Sequence, residues 1–200
     1  MKQPYGVILA GGQATRMGGG DKGLRMLGGQ TLLARVEARL APQVDRLALN
    51  ANGDVARFAG MGLPVIADSI EGFAGPLAGV LAGMDWAASH GADTIVTAAA
   101  DTPFFPCDLA PQLLLASEGM VHPLVLAATP DAKRGTARHP IFGLWPVALR
   151  EDLRVALSGG LRKVVLWTQE HGGREALFPQ EDAFFNVNTP DDLVRAEAML

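Results

Sequence analysis

The sequence predicts an α/β sandwich with a mostly parallel central sheet, and three observations carry that prediction. Short apolar runs recur between Gly, Asn or Asp residues; segments with apolar residues at helical spacing alternate with these runs through the first half; and three of the runs end on Asn50, Asp68 and Asp101. Strands covered on both faces read as continuous apolar runs, and parallel sheets hold ligands at the carboxyl ends of their strands. The three polar residues are therefore expected on one shared edge.

Taken in chain order, Tyr5-Gly6-Val7-Ile8-Leu9-Ala10 is a first strand stopped by Gly11-Gly12. A glycine-rich segment runs on to Gly23, after which Leu32, Leu33, Val36 and Leu40 mark one face of a helix. Residues 46–50, 64–68 and 94–101 read as further strands. Gly75-Pro76-Leu77-Ala78-Gly79 opens a helix reaching about His90, with Pro76 where its missing N–H costs nothing. Beyond residue 120, residues 124–128 and 141–145 read as strands separated by a polar loop holding Lys133, Arg134 and Arg138. Residues 146–157 and 162–171 read as helices around Gly159-Gly160, and Thr189-Pro190-Asp191-Asp192 starts a last helix with a capping Thr and an acidic first turn. No linker, repeat or low-complexity tract divides the chain, so residues 1–200 are expected to form a single domain.

Composition narrows the function classes. Hydrophobic residues at 48% against 19% charged exclude a disordered chain. Seventeen Lys+Arg against 21 Asp+Glu leave a net charge of −4, so no global field draws the protein to nucleic acid or an anionic membrane, and any phosphate must be gripped locally. The single Cys107 has no second thiol for a disulfide, zinc site or redox pair. The first apolar run is too short for a signal-peptide core, and no run nears the ~20 residues of a membrane span. The expectation is a soluble, unprocessed, cytoplasmic protein with no nucleic-acid or membrane partner.

The segment from Leu9 to Lys22 carries the most chemistry. It reads as a strand feeding a phosphate-cradling loop: glycines let consecutive backbone N–H groups approach an anion, and Arg16 and Lys22 add two cations. Gly18-Gly19-Gly20-Asp21-Lys22-Gly23 matches G-x-G-x-x-G in letters but not in place, since a dinucleotide fingerprint follows its strand at once and needs an acidic residue at the end of the next strand, where Asn50 stands. No Walker A string occurs, so neither a dehydrogenase nor a P-loop enzyme is supported. Asp101 ends a buried strand before Thr102-Pro103, which presents one carboxylate rigidly. Such a group suits Mg²⁺, which keeps waters and phosphate oxygens for its other positions; it also suits a strand-terminal turn, although Asp108 is the better capping candidate. Asn186-Val187-Asn188 sets two amides on one face of an extended segment, equally suited to ligand contact and to closing the loop before Thr189. His90 and His171 fall near helix C-termini and His122 has no partner at metal-ligand spacing, so only His139, between Arg138 and Pro140, attracts a functional reading. Trp86, Trp145 and Trp167 read as core.

The combination Leu9-Ala10-Gly11-Gly12, Arg16-Met17-Gly18, Asp21-Lys22-Gly23, Asp68, Gly75-Pro76-Leu77-Ala78-Gly79, Asp101-Thr102-Pro103 and Asn186-Val187-Asn188-Thr189-Pro190 resembles the molybdenum cofactor guanylyltransferase family, in order over nearly the whole chain. The resemblance implies a three-layer Rossmann-like nucleotidyltransferase fold, with a nucleotide-binding half over about residues 1–120 and an acceptor-binding half over about 121–200. It implies GTP and molybdenum-molybdopterin as substrates, Mg²⁺ as cofactor, and molybdopterin-synthesis and molybdoenzyme-maturation proteins as partners. Nucleotide contacts carried over from the family fall on Leu9, Ala10, Gly11, Gly12, Lys22, Asn50, Asp68 and Asp101, with Asp101 the metal ligand and with Arg16, Lys22 and Asp101 in catalytic roles. The family often has Cys where this chain has Ala100. Arg138, His139 and Lys163, with Asn186 and Asn188, are the candidates for the acceptor site. The rival readings are a molybdopterin cytidylyltransferase and a non-catalytic, GTP-responsive molybdopterin carrier.

Overall fold

The computed structural model describes residues 2–11, 21–70, 72, 75–180 and 182–200. Its elements in chain order are β1 (Tyr5–Leu9), a 3-10 turn (Lys22–Leu24), β2 (Met26–Leu27), β3 (Gln30–Thr31), α1 (Leu32–Leu40), β4 (Leu47–Asn50), a 3-10 segment (Val55–Met61), β5 (Val65–Ile66), α2 (Pro76–Ser89) and β6 (Thr94–Ala99). Then come α3 (Leu109–Ala116), β7 (Val125–Asp131), β8 (Gly135–Pro146), α4 (Arg150–Ser158), α5 (Val164–Glu170), β9 (Arg174–Leu177) and α6 (Pro190–Glu197). Among the described residues, seven strands form one sheet in the order β5-β4-β1-β6-β8-β7-β9, and β2 and β3 make a separate small hairpin.

The sheet is mostly parallel, as the apolar runs predict. Strand β1 pairs in parallel with both β4 and β6, β4 with β5, and β7 with β9, while β8 runs against both of its neighbours. From β1 the chain crosses outward to β4 and β5 and then back to β6 on the other side of β1. Right-handed crossovers in opposite directions put their helices on opposite faces. Accordingly Leu33, Val36 and Leu40 of α1 pack with Ile8, Leu49 and Val96 on one face, joined by α3. Leu77, Val80, Leu81 and Met84 of α2 pack with Val7, Ile95 and Trp145 on the other, joined by α4 and α5. The crevice that opens where the two crossovers diverge lies at the carboxyl ends of β1 and β6. Among the described residues no helix is long and apolar enough to cross a membrane.

The carboxyl-terminal half departs most from the pattern reading. The expected polar loop is instead the far end of a long hairpin, with Lys133 and Arg134 at its tip and Arg138 and His139 inside β8. This ribbon extends past the apolar part of the sheet, so its alternation is polar and reads as loop. The ladder slips between Leu126/Ala127, whose partners are Gly143 and His139, leaving Pro140, Ile141 and Phe142 as a bulge. Pro140 fits there because it has no N–H to give the ladder. The bulge is held from within: the buried Thr97 hydroxyl donates to the Ile141 carbonyl at 2.5 Å and accepts from Trp145 Nε1 at 2.8 Å. Asp108 stands at the N-cap of α3, but its carboxylate accepts from Gln112 Nε2 and not from a backbone N–H. Trp145 and Trp167 are fully buried, and His90 and His171 sit at the C-caps of α2 and α5.

Thr97→Val keeps the shape but strands the Ile141 carbonyl and the Trp145 N–H, each a buried polar group whose lost partner costs about 1–3 kcal/mol. Urea unfolding is expected to show destabilisation of roughly that size. A change below about 0.5 kcal/mol would mean that other groups or water satisfy both.

Candidate active site

Strand β1 delivers Leu9, Ala10 and Gly11 to the crevice between the ends of its two neighbours. The Ala10 N–H donates to the Asn50 carbonyl at 2.9 Å and the Ala100 N–H to the Leu9 carbonyl at 3.1 Å, so the chain remains laddered until Gly11, which is exposed. Gly12 and Arg16 lie outside the described residues.

On one side of β1 stands an amide–carboxylate group. Asn50, 2% exposed at the end of β4, donates through Nδ2 to the Ile66 carbonyl at 3.2 Å and to Asp68 Oδ1 at 2.9 Å. Asn52 donates to Asp68 Oδ2 at 2.8 Å and accepts from the Asp68 N–H at 2.9 Å. Asp68 is thus fixed at both oxygens. The start of α2 closes over this group, and Gly79 is the reason it can: a Cβ there would lie 2.2 Å from Asn50 Oδ1 and 3.0 Å from Leu9 Cδ2.

On the other side, at the end of β6, Lys22 and Asp101 meet the Asn186–Asn188 segment. Lys22 Nζ donates to Asn188 Oδ1 at 2.8 Å and lies 4.0 Å from Asp101 Oδ2. The Val187 N–H donates to the Asp101 carbonyl at 2.8 Å, which seats the segment, and the fully buried Val187 turns inward beside Leu27, Leu32 and Ala196. Thr102, also fully buried, donates its hydroxyl to Asn186 Oδ1, with Asp101 Oδ1 at 3.3 Å. Asn188 is held from behind by the capping box of α6: its N–H and that of Thr189 donate to Asp192 Oδ2 at 3.0 and 2.8 Å, while Thr189 Oγ1 accepts from the Asp192 N–H. Hydrogen bonding by Thr189, Asn188 and their neighbours keeps the Asp192 carboxyl below its ordinary range.

Asp101 is electrostatically unfinished. Burial raises its pKa, and Lys22 and the Thr102 hydroxyl only partly oppose that rise. Among the described residues no three His, Cys, Asp or Glu side chains converge to hold a metal. Asp101 therefore presents a single carboxylate beside one ammonium.

The acceptor candidates divide. Asn186 and Asn188 join Asp101 and Lys22 and not the β7–β8 hairpin. Arg138 forms an ion pair with Glu175 of β9, which also accepts from Thr136. His139 points the other way, with Nε2 2.9 Å from Thr129 Oγ1 and its ring stacked on Phe184 at 4.3 Å, and burial lowers its pKa. Lys163 is exposed at the N-cap of α5, and among the described residues no hydrogen bond or ion pair joins it to Arg138 or His139. Sequence reasoning missed Asn52 and Thr102. Thr102 was legible only as the residue before Pro103, and Asn52 lies in a loop without period, though its place two residues after Asn50 marks the same edge.

Comparison with known proteins bears on this geometry. The family description "MobA-like NTP transferase domain" matches residues 6–173. A molybdenum cofactor guanylyltransferase of Cereibacter sphaeroides is 53% identical over 196 residues, covering 98% of this chain and 96% of that protein. One of Bradyrhizobium sp. is 52% identical over 199 residues, covering 97% and 92%. Among solved structures, molybdopterin-guanine dinucleotide biosynthesis protein A of Archaeoglobus fulgidus superposes with a TM-score of 0.71 at 23% identity, covering 98% of this chain and 97% of that one, a likeness of fold.

Two outcomes follow from the site's construction. The native state holds the Asp101 proton more tightly than the unfolded chain does, so stability falls as pH rises from the ordinary carboxylate value through the raised one, and stays lower above it. Asp101→Asn is expected to melt higher than the parent at pH 7 and to lose that advantage below the ordinary value; an equal or lower melting point at pH 7 contradicts the reading. Gly79→Ala forces a buried, hydrogen-bonded amide aside and is expected to cost about 1–3 kcal/mol in chemical denaturation. An unmoved midpoint would show that Asn50 yields freely.

Proposed function

Because the chain belongs to the MobA-like NTP transferase family, we propose that it transfers GMP from GTP to the terminal phosphate of molybdenum-molybdopterin, releasing pyrophosphate and forming the guanine dinucleotide cofactor. The observation that carries this reading is the pairing of Lys22 and Asp101 at the crevice end of β1 and β6, in a chain 53% identical to a protein named for that activity. The Asn50–Asp68 group on the other side of β1 receives the nucleoside: Asp68 accepts from hydroxyl or amino donors, and the buried Asn50, packed under Gly79, holds it.

The chemistry asks little of proton transfer. A phosphate monoester has a second pKa of about 6 and is mostly dianionic near neutrality, so it attacks the α-phosphorus of GTP without a general base. The new bond forms between that phosphate oxygen and the α-phosphorus as the bond to the bridging oxygen of the β-phosphate breaks, and the electron pair leaves with pyrophosphate. The protein must align the two phosphates and neutralise the departing charge. Lys22 has three donors and gives one to Asn188, which aims the ammonium and leaves two for phosphate oxygens. The Gly11 end of β1, with Gly12 and Arg16, is assigned to the triphosphate.

Asp101 fits a Mg²⁺ ion: it is a single partly buried carboxylate whose charge Lys22 does not fully offset, and Mg²⁺ takes one or two carboxylates and completes its shell with water and phosphate oxygens. Bound there, the ion would supply charge neutralisation for the triphosphate. The acceptor is assigned to the carboxyl-terminal half, about residues 121–200 of a single domain, where Arg138, His139 and Lys163 lie. A cytoplasmic location accords with the lone, exposed Cys107, and proteins that make molybdopterin or mature molybdoenzymes are the partners this product requires.

Asp101→Ala is expected to lower pyrophosphate release from GTP plus molybdopterin by roughly a hundredfold or more while circular dichroism stays native, since the residue adds little to core packing. Turnover within a few-fold of the parent removes Asp101 from the mechanism. GTP with Mg²⁺ is expected to raise the melting temperature more than CTP at equal concentration. Equal shifts favour a cytidylyltransferase or an undiscriminating site, and binding without pyrophosphate release favours a carrier.

A further inference from the structure

Arg57, in the 3-10 segment Val55–Met61, connects the two sides of the crevice. Its guanidinium is held at three points: the buried Nε is in ion-pair contact with the Asp21 carboxylate without forming a hydrogen bond, Nη1 donates to the Asp54 carbonyl, and Nη2 donates to the Asn52 carbonyl at 2.6 Å. The group also lies over the buried Phe58 ring, 4.6 Å from its centroid. A guanidinium buried at Nε and engaged with residues from separate segments is a planar brace between them.

Each end of the brace meets a residue adjoining the site. Asp21 begins the tight turn that carries Lys22, with the Leu24 N–H donating to the Asp21 carbonyl at 3.1 Å and the Arg25 N–H to the Lys22 carbonyl at 3.1 Å. Asn52 holds Asp68 at both its N–H and its carboxylate. The path Lys22, Asp21, Arg57, Asn52, Asp68 thus runs without a gap from the ammonium assigned to the triphosphate to the carboxylate assigned to the nucleoside.

We propose that Arg57 is a positioning residue that sets the span between the Lys22 side and the Asn50–Asp68 side of the crevice, so that one nucleoside triphosphate reaches both. The proposal rests on the nucleotide assignment above and extends it to a residue that touches no substrate. Its physical basis is that joining two fragments in one molecule strengthens binding only when the sites stand at the matching distance. Losing the brace therefore affects the joined ligand and spares its parts.

The test compares the parent with Arg57→Gln, Asp21→Asn and the double variant by calorimetric titration with GTP, guanosine and inorganic tripolyphosphate, with melting curves for each protein. The expected result is a loss of about tenfold in GTP affinity in each single variant, with guanosine and tripolyphosphate within about twofold of the parent, because only the advantage of linkage is removed. The double variant should be no weaker than either single one, since both break the same link. Should Arg57→Gln fail to fold, Asp21→Asn breaks the link while leaving the two carbonyl contacts of Arg57 in place. Arg57→Lys, which keeps the charge but cannot reach a carboxylate and two carbonyls together, should remain impaired. Unchanged GTP affinity, fragments that weaken in parallel with GTP, or additive losses in the double variant each overturn the proposal. A parent chain that binds no GTP overturns the nucleotide assignment itself and this role with it, an outcome distinct from variants that bind as well as the parent.

Discussion

Strand β1 is hydrogen-bonded along both edges to strands running in its own direction, and this arrangement governs the rest of the molecule. A strand so placed must be reached and left by crossovers in opposite directions, which sends α1 and α2 to opposite faces and leaves the carboxyl end of β1 uncovered between them. The neighbouring ends deliver Asn50 from β4 and Asp101 from just beyond β6. Neither residue needs a special loop to arrive there. The pairing of apolar strands, driven by burial of Val7, Ile8, Leu49, Ile95 and Val96, brings the polar groups together as a by-product.

Asp101 sits in a position that disfavours its ionised form, and among the described residues Lys22 stands 4.0 Å away with a proton aimed at Asn188. A carboxylate better matched in the free protein would have less to gain from a divalent ion or from a ligand that brings one. On the other side of β1 the logic is reversed: Asp68 is held from two directions by Asn50 and Asn52, so its geometry is set within the protein.

The amino-terminal half was legible because its central strands β1, β4 and β6 are largely buried and its apolar runs stop at polar residues; Asn50, Asp68 and Asp101 stood out for that reason, and Lys22 because it follows a glycine-rich stretch after such a run. The carboxyl-terminal half was less legible for an equally physical reason. Most of the hairpin from Thr129 to Arg138 lies beyond the helices that cover the sheet, so its exposed positions carry polar side chains and the pattern loses contrast. Strand β9 is four residues at the sheet edge with one buried side chain, Ala176. Thr97 looks like any residue of a buried strand, and nothing in its neighbourhood announces that its hydroxyl closes a bulge 44 residues away. Asn52 and Arg57 act through contacts between loops, where no period exists to reveal a face.

The central claim is that the α-phosphate of GTP leaves with the acceptor while pyrophosphate leaves alone. The most direct measurement incubates the protein and Mg²⁺ with molybdenum-molybdopterin and GTP labelled at the α-phosphorus, then follows the label by chromatography and mass. The account predicts a labelled molybdopterin guanine dinucleotide and unlabelled pyrophosphate in equal amounts. Label that stays with the nucleotide, or an acceptor that takes CMP from CTP in preference to GMP, would contradict it.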